Sequence, residues 1–357
     1  MTTTSMSALI GGSGAWAVRL IRHVTGSETV VAPVTGKLLV MLLAPGGSGA
    51  VVNSALSDTT IRLATGAGGG EYVTDVIDVI KNDSYVLTMG APGAAVTGIT
   101  PGIGIGLGND AGTVTLTGPN AYSCTAVGGK GGSASVGSSN RGGGGGGSGG
   151  VGGTARVMRF AGGRGGSIQD ANTNARIATG GGAPNPFGLT AQTSTRGGDS
   201  TTTATAHSTS TGGGSVGGRG GDASGTGGTA GGGSGGSASG TTRGPNINGI
   251  DTTASPTDIV ALLATFGIDI YGGGAASASE NSGPGGGLFG AMAATARQAG
   301  NMGGAAGVVG TAGVSANLPG IGAGSGGFSA NTNSSAAASS APGGVGRAVF
   351  IFLSQVV

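Results

Sequence analysis

The chain has 357 residues, of which 87 are glycine and 3% are aromatic, so an aromatic-rich core is excluded along most of its length. Its 16 basic and 14 acidic residues give a formal net charge of +2 with no long block of either sign, which excludes the electrostatic footprint of a nucleic-acid partner or an anionic membrane surface. Low charge with a mean hydropathy of +0.20 argues against simple disorder, and a single cysteine, Cys124, excludes an internal disulfide framework.

The N-terminal stretch MTTTSMSALIGGSGAWA has neither a basic first segment nor a sustained apolar run, so no signal peptide is expected. The longest apolar runs, 38–44 and 348–353, fall well short of the ~20 residues of a membrane helix, and no membrane insertion is expected. Residues 1–122 read as a β-rich module, with strands expected at 15–24, 37–44, 72–80, 84–90 and 113–118 and alternation clearest in the first and last. Between them, APGGSGA, ATGAGGG, KNDS, GAPGA and GNDAG read as turns, because their residues reach positive φ or cap a turn at low cost. A sandwich or half-barrel follows.

Residues 123–345 form a glycine-rich region with spacers of Ser, Thr, Asn and Ala. Collagen is excluded, because glycine does not hold every third position throughout and the chain has only 12 prolines. Short runs such as Ser148-Gly149-Gly150-Val151-Gly152-Gly153 do obey a triplet, the period of an extended left-handed helix with three residues per turn. Glycine helices of this polyglycine II type have no side chains around their circumference, so neighbours can approach until N–H and C=O groups bond between them. A flexible Gly/Ser linker is the competing reading. Apolar insertions such as ARVMRFAGG and GAPNPFGLT argue against it, as does a short α-helix expected near 256–266. There Ser255 caps, Pro256 occupies the first turn, Asp258 sits at a capping-box position and Gly267 stops the helix, while Ile259, Leu262, Leu263 and Phe266 make one apolar stripe. Residues 346–357 form a closing strand expected to pair with the N-terminal module. The fold class is thus mainly β plus glycine-rich, with a polyglycine II bundle and one short helix.

Catalysis needs convergent titratable groups, and the two histidines fall in unpromising places, His23 in a strand and His207 in a Ser/Thr spacer. No glycine tract ends in a phosphate-binding GK[ST]. Asp75 and Asp78 read as the solvated face of a strand, Gly108 to Asp110 as a turn rather than a cation site, and Cys124 as a small buried thiol. No enzymatic activity, cofactor or metal is expected. Contact residues for a receptor are expected in stiff or aromatic spacer tips: Pro184, Asn185, Pro186 and Phe187; Asn246, Ile247 and Asn248; Leu288 and Phe289.

Three stretches resemble the glycine-rich proteins of bacteriophage tail fibres and tail tips. SETVVAPVTGKLLVMLLAPGGSGA is similar to a "VPxG(x)VxVxxxGxGG" strand running into glycine, DSYVLTMGAPGAA to a "YxVTVGxGG" strand exit, and APGGVGRAVFIFL to a closing "GGxGxVxI" strand. The resemblance implies a virion protein, made in the host cytoplasm, whose polyglycine II helices carry loops that touch a bacterial surface protein or glycan. Its implied partners are that receptor and other phage tail or fibre proteins, with a homotrimer among the assembly states left open. The alternative is a purely structural tail component acting as a stiff spacer, and an ice-binding polyglycine protein is a third class that is not expected.

Overall fold

A computed structural model describes residues 16–54, 61–100, 103–137, 148–155, 158–166, 175–177, 270–271, 287–288, 308–310, 322–325, 328–330 and 337–356. Among them the secondary structure is β, with no helix. The helix expected near 256–266 lies outside the described residues.

Two antiparallel sheets form the first tier. One runs in the order β1 (Trp16–Val24), β18 (Arg347–Gln355), β3 (Gly36–Leu43), β6 (Tyr72–Val79) and β12 (Met158–Phe160). The other runs β10 (Tyr122–Ala126), β9 (Val114–Gly118), β7 (Ser84–Thr88) and β2 (Glu28–Val31). The last strand of the chain therefore hydrogen-bonds to β1 on one side and β3 on the other, with Ile351 level with both Ile21 and Leu39. Because side chains alternate across a strand, Leu38, Val40 and Leu42 of β3 and Phe350 and Phe352 of β18 face Leu87, Leu116 and Cys124 of the second sheet in one apolar core.

The second tier holds two smaller sheets. One is ordered β16 (Val308–Gly310), β17 (Phe328–Ala330), β4 (Val51–Ser54), β8 (Ile103–Gly106), and the other β11 (Ala134–Gly137), β5 (Ile61–Ala64), β13 (Ala175–Ile177). Parallel pairing enters here, between β16 and β17, β17 and β4, and β13 and β5. A separate two-residue pair joins β14 (Ile270–Tyr271) to β15 (Gly287–Leu288).

Glycine-rich segments connect the tiers. Residues 44–50 lead from β3 to β4, 65–71 from β5 to β6, 107–113 from β8 to β9, and 127–133 from β10 to β11. They are neither strands nor turns, and their backbone bonds recur at every third residue. Ala44, Gly47 and Ala50 donate to the carbonyls of Glu71, Gly68 and Thr65, while Thr65, Gly68 and Glu71 donate in turn to Ser133, Lys130 and Val127. A β-ladder repeats every second residue, and three is the repeat of an extended left-handed helix. Segment 44–50 bonds on several sides at once, to Gly344, Gly68, Asn109, Gly93, Gly129 and Ser325. Glycine segments on both sides of residue 122 interleave in this way.

This arrangement corrects four of the five expected turns. KNDS does turn, with Asn82 at φ 75°, but APGGSGA, ATGAGGG and GNDAG belong to the glycine segments, and GAPGA bonds to two of them through Gly93 and Ala91. Gly46, Gly47 and Gly68 in these stretches, like Gly129 of residues 127–133, do not adopt positive φ. At each of them a Cβ would lie under 3.0 Å from the backbone of a neighbouring segment. Close approach, not turning, requires glycine.

Candidate functional site

Among the described residues the glycine segments pack chiefly backbone against backbone. Buried serine hydroxyls add side-chain bonds to those of the backbone. Ser325 Oγ accepts from the Gly49 N–H at 2.5 Å and donates to the Ala341 carbonyl at 2.9 Å, Ser48 Oγ accepts from Asn109, and Ser340 Oγ accepts from Val96. The buried Glu71 carboxylate likewise accepts the N–H groups of Val127 at 3.1 Å and Gly153 at 2.8 Å. These groups satisfy buried backbone donors, which would otherwise cost about 1–3 kcal/mol each.

A further buried polar cluster lies in the first-tier core. Asp75 accepts from the Tyr122 hydroxyl at 3.2 Å and from the Val76 N–H at 2.9 Å, and Cys124 lies beside Tyr122. Burial raises the Tyr122 hydroxyl well above its ordinary value and pushes the Cys124 thiol up to about 12, so both stay protonated at neutral pH. Such a thiol is inert as a nucleophile, and Cys124 is buried and free, as expected. Asp75 corrects the expected solvated face. Residues 75 and 78 are an odd number apart on a strand and so project to opposite faces: Asp78 is exposed and pairs with Lys37 at 2.7 Å, while Asp75 is fully buried.

Asp110 and His23 make contacts that tie segments and strands together. Asp110 is not in a turn: its carboxylate takes the Lys130 ammonium at 2.8 Å and the Gly131 N–H at 2.9 Å, tying two glycine segments together. Partial burial works to raise its pKa, but these bonds and the Lys130 charge outweigh it and hold Asp110 below the usual carboxylate range. His23 lies in β1 as expected, with Nδ1 3.4 Å from the Arg347 guanidinium, and burial together with that charge lowers its pKa. Among the described residues, no group of three or more His, Cys, Asp or Glu side chains is placed to hold a metal ion. The outer face of the second sheet exposes Thr29, Val31, Val86, Thr88, Thr117 and Ser123. β-branched residues suit a pleated solvent face, so this composition requires no ligand.

Of the predicted receptor contacts, Leu288 falls in β15, opposite Ile270. Pro184, Asn185, Pro186, Phe187, Asn246, Ile247, Asn248 and Phe289 lie outside the described residues, as does His207. Sequence reasoning missed Glu71 and the buried serines. Glu71 ends a glycine run at the start of a strand, which is the one signal that marks it as a boundary residue. No protein-family model and no curated protein matches the chain.

Proposed function

We propose that the chain is a phage tail-fibre or tail-tip protein acting as a receptor-binding adhesin, in which a bundle of polyglycine II helices holds loops against a bacterial surface protein or glycan. The observation that carries this reading is the three-residue hydrogen-bond period of the glycine segments, each bonded to several neighbours between two β tiers. Such a lattice needs no side-chain core, so it makes a stiff column out of a chain poor in aromatics. The direction of the column supports recognition. β1 and β18 lie together in the first tier, whereas the chain containing Pro184 to Phe187 and Asn246 to Asn248 follows β13 of the second tier. In this reading the first tier attaches to other tail proteins, the terminal strand closes the fold, and loops leaving the far tier meet the receptor without covalent change.

Binding of the labelled full-length chain to a panel of bacterial strains tests the proposal. Saturable binding to some strains, lost when residues 184–187 are replaced by a Gly/Ser stretch, is the expected result. Absence of saturable binding across the panel would sink the adhesin role and leave a stiff spacer.

A further inference from the structure

We infer that β1 is an exchangeable strand whose partner is a second copy of this chain, β1 of each copy seating on β18 of the other. The inference starts from how little of β1 enters the core. Of its nine residues Val24 alone is buried, and Val18, Leu20 and Ile21 remain 48%, 39% and 43% exposed. By contrast, β18 contributes Phe350 and Phe352, both fully buried, and is held on its other side by β3. β18 is thus anchored to the core by its own side chains and by β3, independently of its ladder to β1.

What holds β1 is a ladder of backbone bonds from Trp16↔Gln355 to Val24↔Ala348, irregular between Val18 and Leu20. A few polar contacts add to it. Arg19 Nε donates to Ser354 Oγ at 2.6 Å, the Arg347 guanidinium lies near His23, and Arg22 spans back to Glu28 through Nε to Oε1 at 2.9 Å and Nη2 to Oε2 at 3.0 Å. Every one of these contacts can be made identically between two copies, because exchange of an element reproduces the native interface. A foreign strand would supply the backbone bonds of an open edge but not Arg19, Arg22 and His23 in this register. A second copy is thus the occupant that fits.

The link to the rest of the chain permits the exchange. Thr25, Gly26 and Ser27 carry the chain from the first sheet to the second, and Gly26 has nothing within 4 Å of where its Cβ would stand. Ser27 is fixed on the body side, its hydroxyl accepting the Met89 N–H at 2.8 Å. Straightening at Gly26 would swing β1 away while the β2 ladder to β7 stays in place, the Arg22–Glu28 pair then forming between copies.

Single-cysteine variants of the full chain test this directly. Ile21→Cys and Ile351→Cys occupy paired positions in the ladder, and the native Cys124 is buried. When the two variants are mixed and mildly oxidised, we expect a mixed disulfide dimer that accumulates severalfold over a control pairing Ile21→Cys with the exposed Val31→Cys. Yield no greater than the control, with the double variant closing its disulfide within one chain, would overturn the inference. The lone tryptophan, Trp16, sits on β1, so its emission reports whether the strand is docked in each variant. Light scattering of the unaltered chain gives an independent reading: mass rising toward a dimer with concentration is expected, and a constant monomer mass overturns exchange.

Discussion

Gly68 and Gly26 show at residue scale two unlike uses of the same amino acid. A Cβ at Gly68 would meet backbone of segment 148–149 under 3.0 Å away, whereas at Gly26 it would meet nothing within 4 Å. Gly68→Ala should therefore force neighbouring segments apart and cost about 1–3 kcal/mol, while Gly26→Ala should be neutral or add about 0.4–1 kcal/mol by restricting the unfolded chain. Midpoints of denaturant unfolding for the two variants check this ordering. Tyr122→Phe removes the hydroxyl that serves buried Asp75 and should cost about 1–3 kcal/mol, and Asp75→Asn in the same background should recover part of that loss. The Asp110 contact carries a pH signature. Its folded pKa is depressed, so its stabilising effect is present above the ordinary carboxylate value of 3.8 and disappears as pH falls through the lower folded value. Asp110→Asn should accordingly flatten the acid limb of the unfolding curve, a small effect because the pair is half exposed.

At the scale of the element, the unit of this fold is a strand that continues into a glycine segment and emerges as another strand. β3, residues 44–50 and β4 form one such unit, and β10, residues 127–133 and β11 another. The apolar strands anchor each unit by ordinary burial, and the glycine segment then needs only to satisfy its backbone. Phe350, fully buried in β18, is one of the largest anchors, and Phe350→Ala should cost about 3–5 kcal/mol in calorimetric or denaturant unfolding. Because ordering glycine costs more entropy than ordering any other residue, a single segment cut from its neighbours gains too little to stay ordered.

At the scale of the molecule, the bonds that define the array join residues far apart in sequence, such as Gly46 to Gly344 and Gly47 to Ser325. Bonds between such distant segments are gained only once long loops have closed, which sets an entropic cost on forming the array. Limited trypsin digestion reads out its integrity. Arg141, Arg156, Arg159, Arg164, Arg196, Arg219 and Arg243 distribute cleavage sites through the glycine-rich region, and a folded bundle is expected to resist cutting at most of them. Rapid cutting at all seven would mean a flexible linker and would remove the scaffold on which the proposed loops depend.

Much of the first tier was legible from residue order alone. The five expected strands recur as β1, β3, β6, β7 and β9, with ends shifted by one or two residues, because runs rich in β-branched and apolar residues bounded by turn or glycine signals mark strands. The four-residue strands β2, β4, β5, β8 and β11 escaped, since so short a run next to glycine carries too little alternation to stand out. The expected receptor tips depend on the resemblance and on stiff or aromatic spacers, and of these the fold describes Leu288 alone. Composition by itself determined that backbone rather than side chains must supply the packing of the glycine segments. Only the tertiary structure decided which glycines those are, because the demand for a missing Cβ at Gly46, Gly47 or Gly68 comes from a neighbouring segment tens to hundreds of residues away. Local sequence records a glycine's freedom to turn, and not how closely another chain segment will pass.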